Sequence, residues 1–136
     1  GVRICLIVRG ICCLRPGRKN LSENIKVISI IGDYLEHSRL YYFHNNNDPL
    51  IFSGSADVMI RSYKRRIESL FKINDELIKK QAITILNYNI KDNINSYLLQ
   101  EDGIYKKKKF NKKNKFDVFE EFYSLNSKKI NDSIIL

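Results

Sequence analysis

Short apolar runs separated by chain-breaking segments constrain this fold more than any other feature of the sequence. The runs cover residues 2–8, 25–31, 40–43 and 50–52, with Gly, Pro or Asn between them. Because β-branched and aromatic residues dominate these runs, we predict strands there. The apolar residues of 78–90 instead recur every three or four positions, which is typical of an amphipathic helix. The strand-like runs and the helical segment together predict a mixed α/β fold.

The residues between and before these runs predict turns and helix starts. A cluster of Asn, Asp and Pro at 45–49 closes a turn, so we expect a β-hairpin over 39–56. Asp102-Gly103 is a second turn signal between apolar pairs. Asp75 lies where a helix N-terminus favours negative charge, and Asp117, with Glu three residues later, resembles a capping box before a last helix.

The first run predicts a strand that is buried on both faces, because residues 2–8 are apolar except at one position. Such a strand needs neighbours on both sides. The sequence opens at Gly1 without an initiator methionine. We therefore expect residues 1–136 to be a fragment of a longer chain, with further strands of the sheet before Gly1.

Charge and cysteine content narrow the class of protein. The 136 residues carry a net charge of +9, which indicates an anionic partner such as a phosphorylated ligand, a nucleic acid or an acidic membrane surface. No apolar run approaches the length of a membrane span. Three cysteines without CxxC spacing favour reduced thiols over a disulfide framework or a metal site. We expect a cytoplasmic location, with association at a membrane surface as the alternative.

The clearest candidate site lies on the first hairpin. His37 and Arg39 place a titratable ring beside a cation just before a strand, and the far end of the hairpin carries Ser55 and Asp57. Such a set is suited to a phosphoryl group, with Arg for bidentate contact, Ser for a hydrogen bond and Asp to orient the imidazole. We predict no metal site on this chain, and the P-loop motif is absent.

Arg9 and the basic segment 106–115 are further candidates. Arg9 closes the first apolar run before a glycine, a position where α/β proteins bind ligands at a sheet edge. The basic segment has the composition of a solvated loop, but with flanking aromatic residues it also fits a nucleic-acid-binding module. The arginines at 61, 65 and 66 have the pattern of a solvated charged face, with Glu68 as a local partner.

Several blocks of the sequence resemble the C-terminal domain of bacterial polyphosphate kinase, the family that phosphorylates a histidine. The blocks cover residues 3–68 in the family's order, with weaker similarity beyond them. They read Val-Arg-Gly-Ile-Cys-Cys-Leu-Arg-Pro-Gly from residue 8, Tyr-Leu-Glu-His-Ser-Arg from 34, Tyr-Tyr-Phe-His-Asn from 41, Ser-Ala-Asp from 55 and Arg-Arg-Ile-Glu from 65.

The resemblance implies a phospholipase D-like α/β fold with a mixed β-sheet flanked by helices. It implies transfer of the terminal phosphate of ATP to polyphosphate through a phosphohistidine, with Mg²⁺. In the family, the phosphohistidine and the magnesium ligands belong to the preceding domain, so this chain alone is expected to be inactive. The partners implied are ATP, polyphosphate, the upstream domains and further copies in a homo-oligomer, with no specific nucleic acid.

Two nucleotide-site residues are implied for this chain, Arg9 and His37, with His37 assisting the transfer as an acid. The sequence departs from the family where Val58 replaces a usual Trp, Gly54 a usual Ser, and Asn46-Asn47 a glycine pair. The wider phospholipase D signature is only partly present. A phospholipase D-type phosphodiesterase or nuclease half-site is therefore the alternative function, beside the basic nucleic-acid module.

Overall fold

The computed structural model describes residues 1–124 as two compact units, one formed by 1–35 with 88–124 and the other by 36–87. Each unit contains one β-sheet. The strands are β1 (Ile4–Ile7), β2 (Ile25–Ile30), β3 (Leu40–Phe43), β4 (Leu50–Gly54), β5 (Leu70–Lys72), β6 (Ser96–Leu99) and β7 (Tyr105–Lys107). The helices are α1 (Ile60–Arg65), α2 (Glu76–Lys91) and α3 (Val118–Ser124). No helix within residues 1–124 is long and apolar enough to cross a membrane.

The sheet of the first unit has the order β1-β2-β6-β7. β1 and β2 are parallel, whereas β6 and β7 join antiparallel, so the sheet is mixed. Ile28 and Ile30 of the central strand β2 are buried with Val118 of α3. Partly buried side chains complete this core: Ile7, Tyr88, Leu98, Phe119 and Phe122.

The second unit is a three-stranded antiparallel sheet of order β3-β4-β5 with one face covered by α2. Ile51 of the central strand β4 is fully buried, and it packs with Ile73 and with Ala82 and Ile83 of α2. The helical period of α2 therefore presents its small and β-branched residues to the sheet. Leu40 and Tyr42 of β3 border the same core.

The mixed α/β fold class is confirmed, with both predicted hairpins and both predicted helices. Asp75 Oδ1 accepts hydrogen bonds from the amides of Leu77 and Ile78, at 2.9 and 3.0 Å, and so caps α2. Asp117 caps α3 through the amide of Phe119 at 3.1 Å. These short side-chain bonds satisfy donors that a helix N-terminus leaves without partners.

Among the described strands β1 pairs only with β2, and Ile4 and Cys5 at its start are exposed. The second neighbour expected for β1 is therefore not among the described strands, and burial of this strand on both faces stays a prediction. The sequence patterns missed α1 and β5, which are six and three residues long.

The turn of the first hairpin explains why asparagines occupy it. Asn45, Asn46 and Asn47 have φ values of 45°, 53° and 68°, in the left-handed region that glycine adopts most easily. Asn is the non-glycine residue that tolerates this region best, because its short amide bonds to nearby backbone. Here the Asn45 side chain donates to the carbonyl of Asp48 at 2.9 Å. The asparagines can thus stand where the resemblance expects a glycine pair.

Asp92 is fully buried and ties three segments of the first unit together. Its carboxylate accepts hydrogen bonds from the Asn95 amide at 2.8 Å, the Ser96 hydroxyl at 2.8 Å and the Val118 amide at 2.9 Å. The Asn95 side chain adds a fourth donor at 3.1 Å. A buried carboxylate is tolerated when hydrogen-bond donors surround it, and these donors come from the starts of β6 and α3.

Asp92→Asn should lower the free energy of unfolding by about 2–4 kcal/mol, because the amide NH₂ would face donors instead of accepting from them. Urea unfolding of both proteins, with m-values compared, measures the difference. The control is Asp33→Asn, since Asp33 is exposed and the substitution removes the same charge. Equal stability of the Asp92 variant and the parent would contradict this assignment.

Gly54→Ala should destabilise the second unit by about 1–3 kcal/mol, because the added Cβ overpacks the sheet. An ideal Cβ at Gly54 would lie 2.1 Å from the Ser69 carbonyl oxygen and 3.0 Å from Leu70 Cα, both of them backbone atoms. The serine that the resemblance expects at this position would meet the same obstacle. Gly10→Ala is the matched control, since nothing lies within 4 Å of a Cβ there. Thermal unfolding of both variants checks the prediction, which fails if they melt alike.

Candidate functional site

His37 and Arg39 lie on the same side of the extended segment that leads into β3. The Arg39 guanidinium Nη1 is 3.1 Å from His37 Nδ1, and it also donates to the His37 carbonyl at 3.3 Å. The His37 ring is exposed, whereas Arg39 is half-buried. Residues two apart on an extended chain point to the same side, so the local backbone alone brings these two groups together.

Asp57 holds Arg39 from across the hairpin. The β3–β4 register pairs Leu40 with Ser53, which brings the residues after β4 beside Arg39. Asp57 Oδ1 accepts from Arg39 Nε at 2.9 Å, and Oδ2 accepts from Arg61 Nη2 at 3.1 Å. One carboxylate is thus shared by two guanidiniums. We call this set, His37, Arg39, Asp57 and Arg61, the arginine–histidine cluster.

Two neighbouring contacts fix the segment that carries Asp57. The Tyr41 hydroxyl donates to the Ala56 carbonyl at 2.7 Å. The Ser55 amide donates to the Ser69 carbonyl at 3.0 Å, and the Ser55 hydroxyl donates to the Glu68 carboxylate. Burial raises the pKa of Tyr41, with nearby Tyr63 and Asp57 acting in the same direction. Tyr41 therefore stays a protonated donor at neutral pH.

Two members of the cluster, Arg39 and Asp57, keep each other charged. The hydrogen bond from Arg39 is the main cause that lowers the pKa of Asp57, and Arg61 acts in the same direction. The hydrogen bond to Asp57 in turn raises the pKa of Arg39. With two arginines and one carboxylate, the cluster carries an excess positive charge before His37 is counted.

Arg9 follows β1 in the first unit. The amide of Val8 continues the pairing of β1 with β2 by donating to the Ile28 carbonyl at 2.8 Å, and Arg9 is the next residue. Arg9 is exposed. It therefore follows the carboxyl end of one strand of the parallel pair β1–β2, the edge at which open α/β sheets bind ligands.

The basic segment 106–115 is more ordered than its composition suggests. Residues 106 and 107 belong to β7, and residues 112–114 form a 3-10 turn whose cap is Asn111. Asn93 braces the segment by donating to the Asn114 carbonyl at 2.6 Å and accepting from the Phe116 amide at 2.9 Å. The basic segment is solvated, as expected from its composition, but it contains a strand and a 3-10 turn where a loop was expected.

Lys108 differs from the other lysines of the basic segment. Its ammonium donates to the carbonyls of Ile90 and Asp92, at 2.7 and 2.6 Å, at the C-terminal end of α2. A cation at this position interacts favourably with the helix dipole. Burial lowers the pKa of Lys108, and nearby Lys26 adds to the effect. Lys108 thus has a structural contact, unlike an exposed anion-binding lysine.

The sequence located the cluster but missed part of it. The structure brings His37, Arg39 and Asp57 together in one chain of contacts, with Arg39 between the other two. Arg61, interpreted from sequence as part of a solvated face, is the second partner of Asp57. Its position four residues after Asp57 was the available signal, because side chains at that spacing can pair along a helical turn. Glu68, expected as a partner of the arginines, instead accepts from Ser55.

Chemically, the cluster presents donors to an incoming group. A guanidinium has five N–H donors and no acceptor, and its planar fork matches the oxygens of a phosphoryl group. Within residues 1–124, no three His, Cys, Asp or Glu side chains lie close enough to hold a metal ion. The arrangement is suited to binding an anion through hydrogen bonds and charge.

Comparison with solved structures defines the class of domain. The crystal structure of polyphosphate kinase from Porphyromonas gingivalis superposes with a TM-score of 0.85 at 35% identity, covering 90% of this chain and 19% of that one. This similarity confirms the phospholipase D-like α/β fold.

The family follows from sequence comparison. The family model described as polyphosphate kinase C-terminal domain 2 matches residues 1–118. Polyphosphate kinases of Staphylococcus haemolyticus and a Synechocystis strain are 50% and 51% identical over 105 residues, or 77% of this chain. The chain belongs to the polyphosphate kinase family, as its C-terminal domain 2. It spans 15% and 14% of the length of these two relatives.

The pKa of the Asp57 carboxyl should lie below the ordinary aspartate range, because the hydrogen bond from Arg39 favours the carboxylate. A carboxyl whose pKa is lower in the folded state stabilises the fold above its unfolded pKa, and this stability is lost as pH falls through the folded pKa. NMR titration of the side-chain carboxyl carbons measures the midpoint.

Arg39→Gln should raise the Asp57 midpoint towards the ordinary aspartate range, because the main cause of the lowered pKa is then lost. The contact between Arg39 and Asp57 would be refuted if the Asp57 midpoint did not respond to the substitution.

Proposed function

We propose that this chain is the C-terminal part of a polyphosphate kinase that transfers the terminal phosphate of ATP to a polyphosphate chain. In this proposal Arg9 and His37 contact the phosphates of the nucleotide, with Arg39, Ser55 and Asp57 in support. The whole enzyme's activity goes beyond this chain, which spans only 14–15% of its relatives' length. The observation that carries the proposal is the arginine–histidine cluster on a chain of this family.

The cluster supports the proposal because phosphoryl transfer depends on positioning and charge neutralisation. Arg39 and Arg61 share the single carboxylate of Asp57, which leaves positive charge for an anion. The exposed His37 ring adds a directional donor beside that charge. Ser55 supports the site by holding the segment before Asp57, through its contacts with Ser69 and Glu68.

Arg9 supports the proposal through its place in the sheet. It is exposed after the carboxyl end of β1. A guanidinium at such an edge can bind two phosphate oxygens at once, which a lysine ammonium does less specifically. We therefore assign Arg9 to the nucleotide phosphates rather than to the base.

The phosphohistidine and the Mg²⁺ ligands are proposed to lie in the upstream domain. Bound Mg²⁺ would neutralise charge on the transferring phosphate, and this chain's donors would orient the nucleotide. We propose that residues 1–136 alone have no kinase activity, since they supply only part of the site.

A long polyanion such as polyphosphate also needs an attractive surface, and the net charge of +9 is consistent with one. The lysines of the basic segment are exposed except at Lys108. The free thiols of Cys5, Cys12 and Cys13 fit the cytoplasmic location that we propose. The remaining proposed partners are the upstream domains and other copies of the chain.

A titration of the two histidine rings tests the nucleotide site directly. We expect His37 to shift saturably with ATP and with short polyphosphate, because its ring is exposed within the cationic cluster. His44 serves as an internal control, since its Nδ1 lies 3.4 Å from the hydroxyl of Tyr42, outside the cluster. Ring resonances followed by NMR at low and moderate salt provide the measurement.

Arg9→Ala should weaken the ATP response of His37 by about tenfold or more, the cost of one lost charge-assisted hydrogen bond. Lys19→Ala removes one charge from an exposed loop and is the matched control. Equal responses of both histidines would indicate nonspecific charge attraction. Acid-labile phosphate on His37 after incubation with ATP would contradict the proposed division between the two domains.

A further inference from the structure

The contact between Arg39 and His37 restricts where the imidazole can carry its proton. Arg39 Nη1 lies 3.1 Å from His37 Nδ1. A guanidinium remains protonated in proteins and can only donate hydrogen bonds. Nδ1 must therefore be the acceptor, and the single proton of the neutral ring is on Nε2. A proton on Nδ1 would point at a donor that cannot accept it.

The rest of the cluster keeps Arg39 in this position. Asp57 Oδ1 accepts from Arg39 Nε at 2.9 Å, and Arg61 donates to the other oxygen of Asp57 at 3.1 Å. Arg39 Nη1 also donates to the His37 carbonyl at 3.3 Å, so the guanidinium contacts both the backbone and the ring of the same residue. Tyr41 and Glu68 are further titratable groups close to Arg39, and Tyr41 is uncharged at neutral pH.

We propose that Arg39 is a positioning residue that holds His37 as the neutral tautomer protonated at Nε2, with Asp57 and Arg61 anchoring Arg39. The idea rests on the proposed function of His37 at the nucleotide phosphates. His37 then acts as a directional hydrogen-bond donor through Nε2–H, while the arginines supply the positive charge. A neutral ring of this kind donates a hydrogen bond without giving up a proton, so the proposal differs from the acid role that the family resemblance implies for His37.

The tautomer can be measured without any ligand. Long-range ¹H–¹⁵N NMR spectra of the full chain separate a ring nitrogen that carries hydrogen from one that does not. The spectra are taken at a pH about 1.5 units above the ordinary histidine value of about 6.5, where a neutral ring is favoured. We expect His37 to be protonated at Nε2, with its Nδ1 signal shifted by the hydrogen bond from Arg39.

Arg39→Ala should raise the fraction of the tautomer protonated at Nδ1 by about tenfold, because a hydrogen bond from a charged donor then no longer opposes it. His44 in the same spectra is the internal reference, since the substitution does not touch its environment. Arg39→Lys, which keeps a charged donor, should restore part of the native ratio. An unchanged ratio in Arg39→Ala would overturn the proposal, as would a native ring protonated at Nδ1.

Asp57→Asn keeps the protonated Arg39 but weakens its anchor, so the native tautomer ratio should shift in the same direction by a smaller factor. Asp48→Asn in the hairpin turn removes the same charge at an exposed position and should leave the ratio unchanged. Because the spectra also report whether each variant is folded, the Asp57 variant keeps the idea testable if Arg39→Ala unfolds. If Asp57→Asn left the tautomer ratio unchanged, the proposed role of Asp57 as the anchor of Arg39 would be refuted.

The tautomer measurement and the ATP titration together distinguish a failure of the positioning role from a failure of the proposed function. If the native tautomer ratio depends on Arg39 but ATP moves neither histidine, the nucleotide assignment fails and the positioning role stands. If ATP binds at His37 but the tautomer ratio is the same with and without Arg39, the positioning role fails and the nucleotide assignment stands.

Discussion

The first unit depends on one buried carboxylate, Asp92. Its donors come from the starts of β6 and α3. The furthest of them, Val118, is 26 residues from Asp92 along the chain, so the carboxylate closes a long loop. Burying this carboxylate removes its contact with water, and four hydrogen-bond donors replace that contact. Two of the donors are backbone amides. Hydrogen bonds can replace a counter-ion when they occupy the oxygens of a buried carboxylate. The ammonium of Lys108 binds the carbonyl of the same residue, which joins the basic segment to this centre.

Asp57, like Asp92, is an aspartate that accepts several hydrogen bonds, but it lies near the surface and its partners are side chains. It remains partly exposed, and both of its described donors are guanidiniums. Exposed ion pairs contribute little to stability, so fold stability alone does not account for this arrangement. The bonds of Asp57 to Arg39 and Arg61 instead fix the direction in which Arg39 presents its remaining N–H groups. Asp92 therefore organises the backbone, whereas Asp57 organises cationic side chains.

The sequence predicted the elements that local chemistry determines. Asn45 to Asn47 indicated a turn because their amides tolerate left-handed backbone, and Asp75 indicated a helix start because its carboxylate can cap amides. The pairing of β1 with β2 was not predictable, since an apolar run does not reveal which strand lies beside it. Local pattern could pair His37 with Arg39, but the contact of Arg39 with Asp57 depends on the hairpin register. Arg9 was a candidate from its position at a strand end, but a strand-end charge that reaches solvent fits the same pattern, and only the family resemblance implied a role at the nucleotide.

The arginines and the histidine of the arginine–histidine cluster have different roles in the proposed site: the arginines supply positive charge and the histidine supplies a hydrogen-bond donor of defined direction. Two guanidiniums beside one carboxylate supply net positive charge. Because a guanidinium can only donate, the proposed arrangement has His37 Nδ1 accepting from Arg39, which leaves Nε2–H as a donor of fixed orientation. An anion that reached this cluster would meet a positive field from the arginines and one donor of defined direction from the histidine. This division suits a phosphate group, since its oxygens can accept from both kinds of donor at once.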